Sequence, residues 1–252
     1  MKKVFMIFCL LFVLNLCLFA GFGIGISGGW TSVAMKDVNE NYFEKLVNGV
    51  ESIYALLGGS ATSSVNKISG GYSLGVDFLY SPFSFLSLGI RTGFISAGGS
   101  FKTTGSIFSA SVITDGTLDT TLVPLAFGLL SEFAIPNTEI IFGTGVFAGL
   151  CFAGTQMKYN INFSTTNSYG TINASGTDLF IDIFGKILYK PLSFLSFGIQ
   201  PGYRIANVKE MKVTESNVTN VNKGDIIKDS ENNPIEFDYS GFSIQALVLF
   251  SF

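Results

Sequence analysis

The sequence has no histidine, one tryptophan and few charges: Asp, Glu, Lys and Arg make up 13% of its 252 residues, about half the usual share. Without histidine there is no imidazole general base, and the acyl-transfer and proteolytic chemistries that depend on one are excluded. Only three cysteines are present, Cys9, Cys17 and Cys151, so His/Cys metal sites are ruled out. Long apolar runs are also missing. Beyond the first twenty positions no stretch approaches the roughly 20 residues of a membrane-crossing helix. Yet the chain is 48% apolar with a mean hydropathy of +0.47, too greasy to be disordered and too poor in charge to cover a soluble surface. Apolar residues that are abundant but dispersed point to strands that cross a membrane.

The first twenty residues, MKKVFMIFCLLFVLNLCLFA, place two lysines before an apolar core and end at Ala20-Gly21, the layout of a secretory signal peptide. The alternative, a permanent single-span anchor, lacks a stop-transfer flank. Residues 1–20 are therefore predicted to be a signal peptide, and 21–252 a single domain. Removing Lys2 and Lys3 from 15 basic residues leaves 13 against 18 acids, a net charge of −5. Such a chain has no electrostatic footprint for nucleic acid. Its one remaining cysteine, Cys151, cannot form an internal disulfide, and packing is the expectation for it.

From Phe242 onward the even positions are Phe242, Ile244, Ala246, Val248, Phe250 and Phe252, all apolar, while the odd positions are mixed. Period two is the signature of a strand with different environments on its two faces. Seven earlier segments read the same way. They begin at Phe22, Tyr72, Leu86, Val123, Ile140, Ile181 and Leu195. An even count of eight lets the first strand meet the last, leaving no open edge in lipid. A soluble β-sandwich would place Lys, Glu and Thr on the polar face, whereas here it carries Gly, Ser and isolated charges, suiting a cramped barrel interior. Tight turns at 80–84, 135–138 and 189–193 alternate with long polar stretches at 35–68, 102–116, 155–176 and 207–234. The prediction is an all-β, eight-stranded antiparallel transmembrane β-barrel with short periplasmic turns and long outer loops. Pro124, inside a strand, predicts a bulge or bend. Tyr80-Ser-Pro-Phe-Ser-Phe-Leu-Ser-Leu-Gly-Ile90 recurs as Tyr189-Lys-Pro-Leu-Ser-Phe-Leu-Ser-Phe-Gly-Ile199, four strands apart. Two similar halves, or convergence on one favourable turn, would each account for it.

The first long loop holds one helical candidate over residues 38–57. Asp37 and Glu40 resemble a capping box, Gly58-Gly59 supplies a stop, and Phe43, Leu46, Val47, Val50, Ile53, Tyr54 and Leu57 recur at helical spacing. A helix packed over the barrel mouth, or lying in the outer interface, is the leading expectation, and a lid or contact surface for a ligand or partner the alternative.

With its signal peptide, its eight alternating segments and its terminal Phe250-Ser251-Phe252, the sequence resembles the small outer-membrane β-barrel families, the OmpA transmembrane-domain, OmpX, OmpW and opacity-protein types. Thr121-Leu-Val-Pro-Leu125 is similar to a strand pattern of such barrels. The resemblance implies an outer-membrane location, contact with outer-membrane lipid, and recognition by the barrel-assembly machinery through the C-terminal strand, with Tyr239, Phe250 and Phe252 as the assembly signal. On the face assigned to the lumen lie Asp77, Arg91, Glu132, Glu139, Asp182, Lys186 and Arg204. Eight strands leave little bore, so these charges are expected to pair as a plug rather than form an ion-selective ring. No catalytic, cofactor or metal residue is predicted. The expected function is non-catalytic, structural or surface-contacting through the outer loops. The alternative is a small transport barrel of OmpW type passing hydrophobic molecules, or a narrow porin.

Overall fold

The computed structural model describes residues 21–107, 110–163, 166–229 and 231–252; the predicted signal peptide lies outside them. Twelve strands follow in order: β1 (Gly21–Ser32), β2 (Ser60–Asn66), β3 (Gly70–Phe83), β4 (Leu86–Ile107), β5 (Ala110–Ala134), β6 (Ile140–Phe163), β7 (Thr166–Leu192), β8 (Leu195–Ile205), β9 (Asn207–Val208), β10 (Lys212–Ser216), β11 (Phe237–Asp238) and β12 (Gly241–Ser251). Eight of them close a ring, each antiparallel to its neighbours, in the order β1-β3-β4-β5-β6-β7-β8-β12. β12 returns to β1 through nine paired positions, from Gly23 opposite Ser251 to Thr31 opposite Ser243.

The period-two pattern sorts side chains as expected. Phe22, Ile24 and Ile26 of β1, Leu125 and Phe127 of β5, and Phe242 and Ile244 of β12 are all exposed on the outer wall. On β6 the outward apolar series runs from Ile140 to Phe152. At about 3.3 Å per residue and a tilt near 40°, those residues rise about 30 Å, the thickness of a bilayer's hydrocarbon core. Aromatic residues cluster at both margins. Phe22 meets Tyr80 at one rim, and Tyr203 meets Phe242 with ring centroids 4.9 Å apart at the other. An apolar belt flanked by aromatics is the surface of a membrane-spanning barrel. Among the described residues no helix is long and apolar enough to cross a membrane.

The two repeated hairpins prove to be the same turn. β3 and β4 pair at Tyr80–Leu88, then slip to Phe83–Leu86, and β7 and β8 pair at Tyr189–Phe197, then slip to Leu192–Leu195. The third short turn places Pro136 before Asn137, whose φ of +61° suits position three of a type II turn. Pro124 does not produce the bulge that is one of its two expected effects. The β4–β5 register is the same on either side of it, with Thr92 opposite Leu125 and Ile95 opposite Leu122. The proline drops rungs from the ladder without a bulge, because its nitrogen has no hydrogen to donate.

The long outer loops also need correction. The described residues of these stretches, 102–107 with 110–116 and 155–163 with 166–176, are continuations of β4–β5 and β6–β7, which run 22 to 27 residues per strand. β2 extends this tall wall by pairing with β4 above the end of β3, and β10 does the same beside β7. The result is a half-cylindrical head standing on one side of the barrel. Apart from β2 and β10, the described residues of the two remaining loops, 33–69, 206–229 and 231–240, fold into its concave face. There Met35, Val38, Phe43, Ile68, Val208, Met211, Ile235 and Phe237 join Phe101, Leu118 and Met157 in one buried cluster.

The helical segment in the first loop begins with a π-helical stretch, Val38–Glu44, and continues as α1 (Lys45–Leu56). The capping box does not form. Asp37 has helical torsions itself, and its carboxylate accepts instead from the Asn41 side chain and from the backbone N–H of Glu236, at 2.8 Å. The predicted stop is realised as a Schellman motif, with Gly59 N–H donating to Tyr54 O and Gly58 N–H to Ala55 O. Phe43, Val47 and Tyr54 are buried, whereas Ile53 and Leu57 of the predicted apolar series are exposed. The wider π turn rotates the series, so one stripe cannot face the core throughout.

Candidate functional site

The charges predicted for the lumen fall into two clusters. Nearer the short turns, Lys186 on β7 forms an ion pair with Glu132 on β5. Higher up, Arg91 on β4 donates Nε to Asp77 Oδ1 and Nη2 to Asp77 Oδ2, both at 2.7 Å, and pairs through Nη1 with Asp182. Asp77 and Arg91 are directly opposed across β3 and β4, so the fork-to-carboxylate geometry follows from the register. The guanidinium also lies over the rings of Phe147 and Phe184, 4.4 Å from each centroid, an arrangement that favours Arg over Lys. Gln200 presents its amide to Arg91, and Gln245 bonds to Ser73 Oγ at 2.8 Å. The void beside this layer measures about 20 Å³, room for about one water.

The rings fit because glycines face them. A Cβ on Gly145 would stand 2.5 Å from Phe184, and one on Gly128 2.6 Å from Phe147. Phe147 and Phe184 were not singled out from the sequence. Their inward parity, next to glycines and opposite a lumenal arginine, is the signal that identifies them.

Arg204 occupies a third position. It is 3% exposed and donates Nε to the carbonyl of Tyr239 at 3.0 Å and Nη2 to Thr31 Oγ1 at 2.8 Å. The Tyr239 ring turns inward and its hydroxyl bonds Thr120. This residue of the predicted assembly signal thus lies before β12 and packs inside the barrel. Phe250 faces outward in the wall. Phe252 is exposed at the rim, where its backbone exchanges two hydrogen bonds with Phe22.

Glu139 is the correction to the predicted lumen set. It is exposed in the turn between β5 and β6, where the chain no longer alternates, and its backbone carbonyl accepts from Lys190 N–H at 2.8 Å. Without it the set holds three carboxylates, Asp77, Glu132 and Asp182, against three cations, Arg91, Lys186 and Arg204. Their charges cancel, as burial demands.

Cys151 is fully buried on the inner face of β6, with Sγ 3.3 Å from the carbonyl of Asp178. Among the described residues no group of His, Cys, Asp and Glu is gathered to hold a metal ion.

Among the described residues, the edge of β7 lacks a partner strand over one stretch. β7 pairs with β10 through Ser175 and with β8 from Ile181, leaving Gly176–Phe180 without a ladder partner on that side. The chain from Val208 to Met211 crosses this edge. Val208 and Met211 are fully buried against it, and a Cβ on Gly176 would lie 2.5 Å from the Glu210 carbonyl. Above the lumen, the concave face of the head holds a cleft of about 430 Å³ that no sequence motif signalled.

No protein-family model and no curated protein sequence matches the chain. Solved structures with some likeness include the outer membrane protein OprG from Pseudomonas aeruginosa, 11% identical over 91% of this chain and 95% of that one, with a TM-score of 0.44. Neisserial surface protein A is 9% identical over 92% and 99%, with a TM-score of 0.36. The outer membrane protease OmpT from Escherichia coli is 8% identical over 92% and 94%, at 0.31. With TM-scores below 0.5, these likenesses decide nothing about what the chain does.

Proposed function

We propose that this chain is a non-catalytic outer-membrane barrel that seals its own lumen and presents a rigid head for contact at the cell surface. One observation carries the reading: the interior is filled at successive levels. The Lys186–Glu132 pair, the Arg91–Asp77–Asp182 cluster under Phe147 and Phe184, and the Arg204–Tyr239–Thr120 group stack beneath the packed loops of the head. Moving a solute would mean dismantling buried ion pairs at two levels and the hydrogen bonds of buried Arg204 at the third. A transport barrel of the kind considered above needs an apolar trough leading to a gap in the wall. The edge at Gly176–Phe180 is instead packed against Val208 and Met211, and the pocket of about 470 Å³ on it is lined in part by Glu210 and Lys212 rather than by an apolar trough.

The head supports a contact role because it is built of sheet. β6 continues for about ten residues past the apolar belt, some 30 Å along the strand, and Ile53 and Leu56 of α1 stand exposed on it. The terminal strand, with outward Phe250 and Phe252, is the part the assembly machinery would select.

Reconstitution in planar bilayers tests the seal. The expected outcome is no stable unitary conductance, with heat-modifiable mobility on gels showing that the inserted protein is folded. Persistent current steps from folded protein would refute it.

A further inference from the structure

We infer that the cleft in the concave face of the head is a binding site for a small, neutral, mostly apolar molecule carrying one hydrogen-bonding oxygen. The inference goes beyond the sealed barrel, since the cleft stands apart from the lumenal charge layers and could be occupied whether or not the barrel conducts. Its walls come from three parts of the chain: Tyr42 from the π-helical stretch, Met157 and Ile172 from the tall strands β6 and β7, and Val213, Val221 and Ile227 from the last long loop. A volume of about 430 Å³ lies in the range of small-molecule sites and is too small for a protein segment of any length.

The lining settles the ligand's chemistry. Ile172 and Val221 are partly exposed and present apolar surface to the cleft, with Met157 and Val213 buried behind them at 2% exposure each. Asp225 and Lys228 are both exposed at the mouth. Their opposite charges favour neither an anion nor a cation. The Tyr42 phenol is pushed up to about 12, first by burial and then by neighbouring Tyr159. At neutral pH it stays protonated, a neutral group able to donate to a ligand oxygen.

The cleft is held open by the fold. Val213 N–H donates to Asp225 O at 2.8 Å, Gly224 N–H to Val213 O at 2.8 Å, and Ile227 N–H to Met211 O at 2.9 Å. These bonds brace the loop as a hairpin, so little ordering cost remains at binding.

The test uses the full barrel in phosphatidylcholine nanodiscs, with 1-naphthol and naphthalene as probes and empty nanodiscs as the partition control. Equilibrium dialysis should show one saturable naphthol site per barrel. Val221→Trp, which fills the cleft from a partly exposed loop, should weaken it at least tenfold. Ile172→Trp is the second filling variant should the first fail to show heat-modifiable mobility. Tyr42→Phe should weaken naphthol about fivefold, the value of one neutral hydrogen bond, and leave naphthalene unchanged. Uptake no greater than by empty nanodiscs, or saturable binding that survives both filling variants, overturns the site. Equal naphthol affinity in Tyr42→Phe overturns the role of the hydroxyl.

Discussion

Replacing Arg91 by methionine should cost the barrel roughly 3–5 kcal/mol. The guanidinium is buried and meets two carboxylates that are themselves 4% and 8% exposed, Asp77 and Asp182. At an effective dielectric near 20, each contact is worth about 4 kcal/mol. The several kcal/mol needed to desolvate the guanidinium is recovered when it is removed. What remains is the cost of two buried carboxylates facing one another without their shared cation. For a domain with an m-value of about 2–3 kcal/mol per molar urea, the unfolding midpoint should fall by roughly 1–2 M. Trp30 is the only tryptophan and sits outward at the upper margin of the apolar belt, so its fluorescence in lipid vesicles reports unfolding directly. The triple variant Asp77→Asn, Arg91→Met, Asp182→Asn removes the charges together and should regain most of the loss. A single Arg91→Met variant within about 1 kcal/mol of the wild type would refute the reasoning, because it would mean that the layer is wet and the lumen open.

Arg204→Met should loosen the junction between barrel and head, since Arg204 bonds both the Tyr239 carbonyl and Thr31. A loss of about 2 kcal/mol is expected, read as faster proteolysis within 206–240 while the barrel stays heat-modifiable. At the turn, Asn137→Gly should be neutral or mildly stabilising, and Asn137→Val should cost about 1 kcal/mol or more, because φ of +61° disfavours a β-branched residue; urea midpoints measure both. Asp229 lies below its ordinary carboxylate value of 3.8, chiefly because the backbone N–H of Asn233 donates to it, with Glu231 N–H and Lys45 adding to the effect. The stabilisation it gives the 229–233 turn is present above 3.8 and lost as pH falls through the lowered value. Amide exchange at Glu231 and Asn233 should therefore lose protection under acid in the wild type, and should already be unprotected at neutral pH in Asp229→Ala.

The transmembrane strands could be read from the sequence because lipid and lumen impose opposite demands on alternate residues. Phe242–Phe252 shows this most cleanly. The same physics hid the head. Along 102–107 and 110–116 the outer face meets water and the inner face meets folded loops, so threonine, serine and glycine serve on both sides and the alternation fades, although β4 and β5 continue. Parity placed Asp77, Arg91, Asp182, Lys186 and Arg204 in the lumen. It failed for Glu139, where a turn releases the chain from alternation. Asp37 and Glu40 had the spacing of a cap, but a distant partner, the Glu236 N–H, took the carboxylate. The head cleft had no trace in the sequence because Tyr42, Met157 and Val221 meet only through tertiary folding.

The seam between β1 and β12 has a consequence for biogenesis. Hairpins such as β4–β5 and β6–β7 join chain neighbours and can form as soon as they emerge. The ring, however, is sealed by the first strand clasping the last, more than two hundred residues later in translation. Until Phe252 is delivered, β1 and the newest strand both present raw hydrogen-bonding edges, which oil cannot satisfy and which invite pairing with other chains. A polypeptide released one strand short would therefore have no intermediate resting state in the membrane.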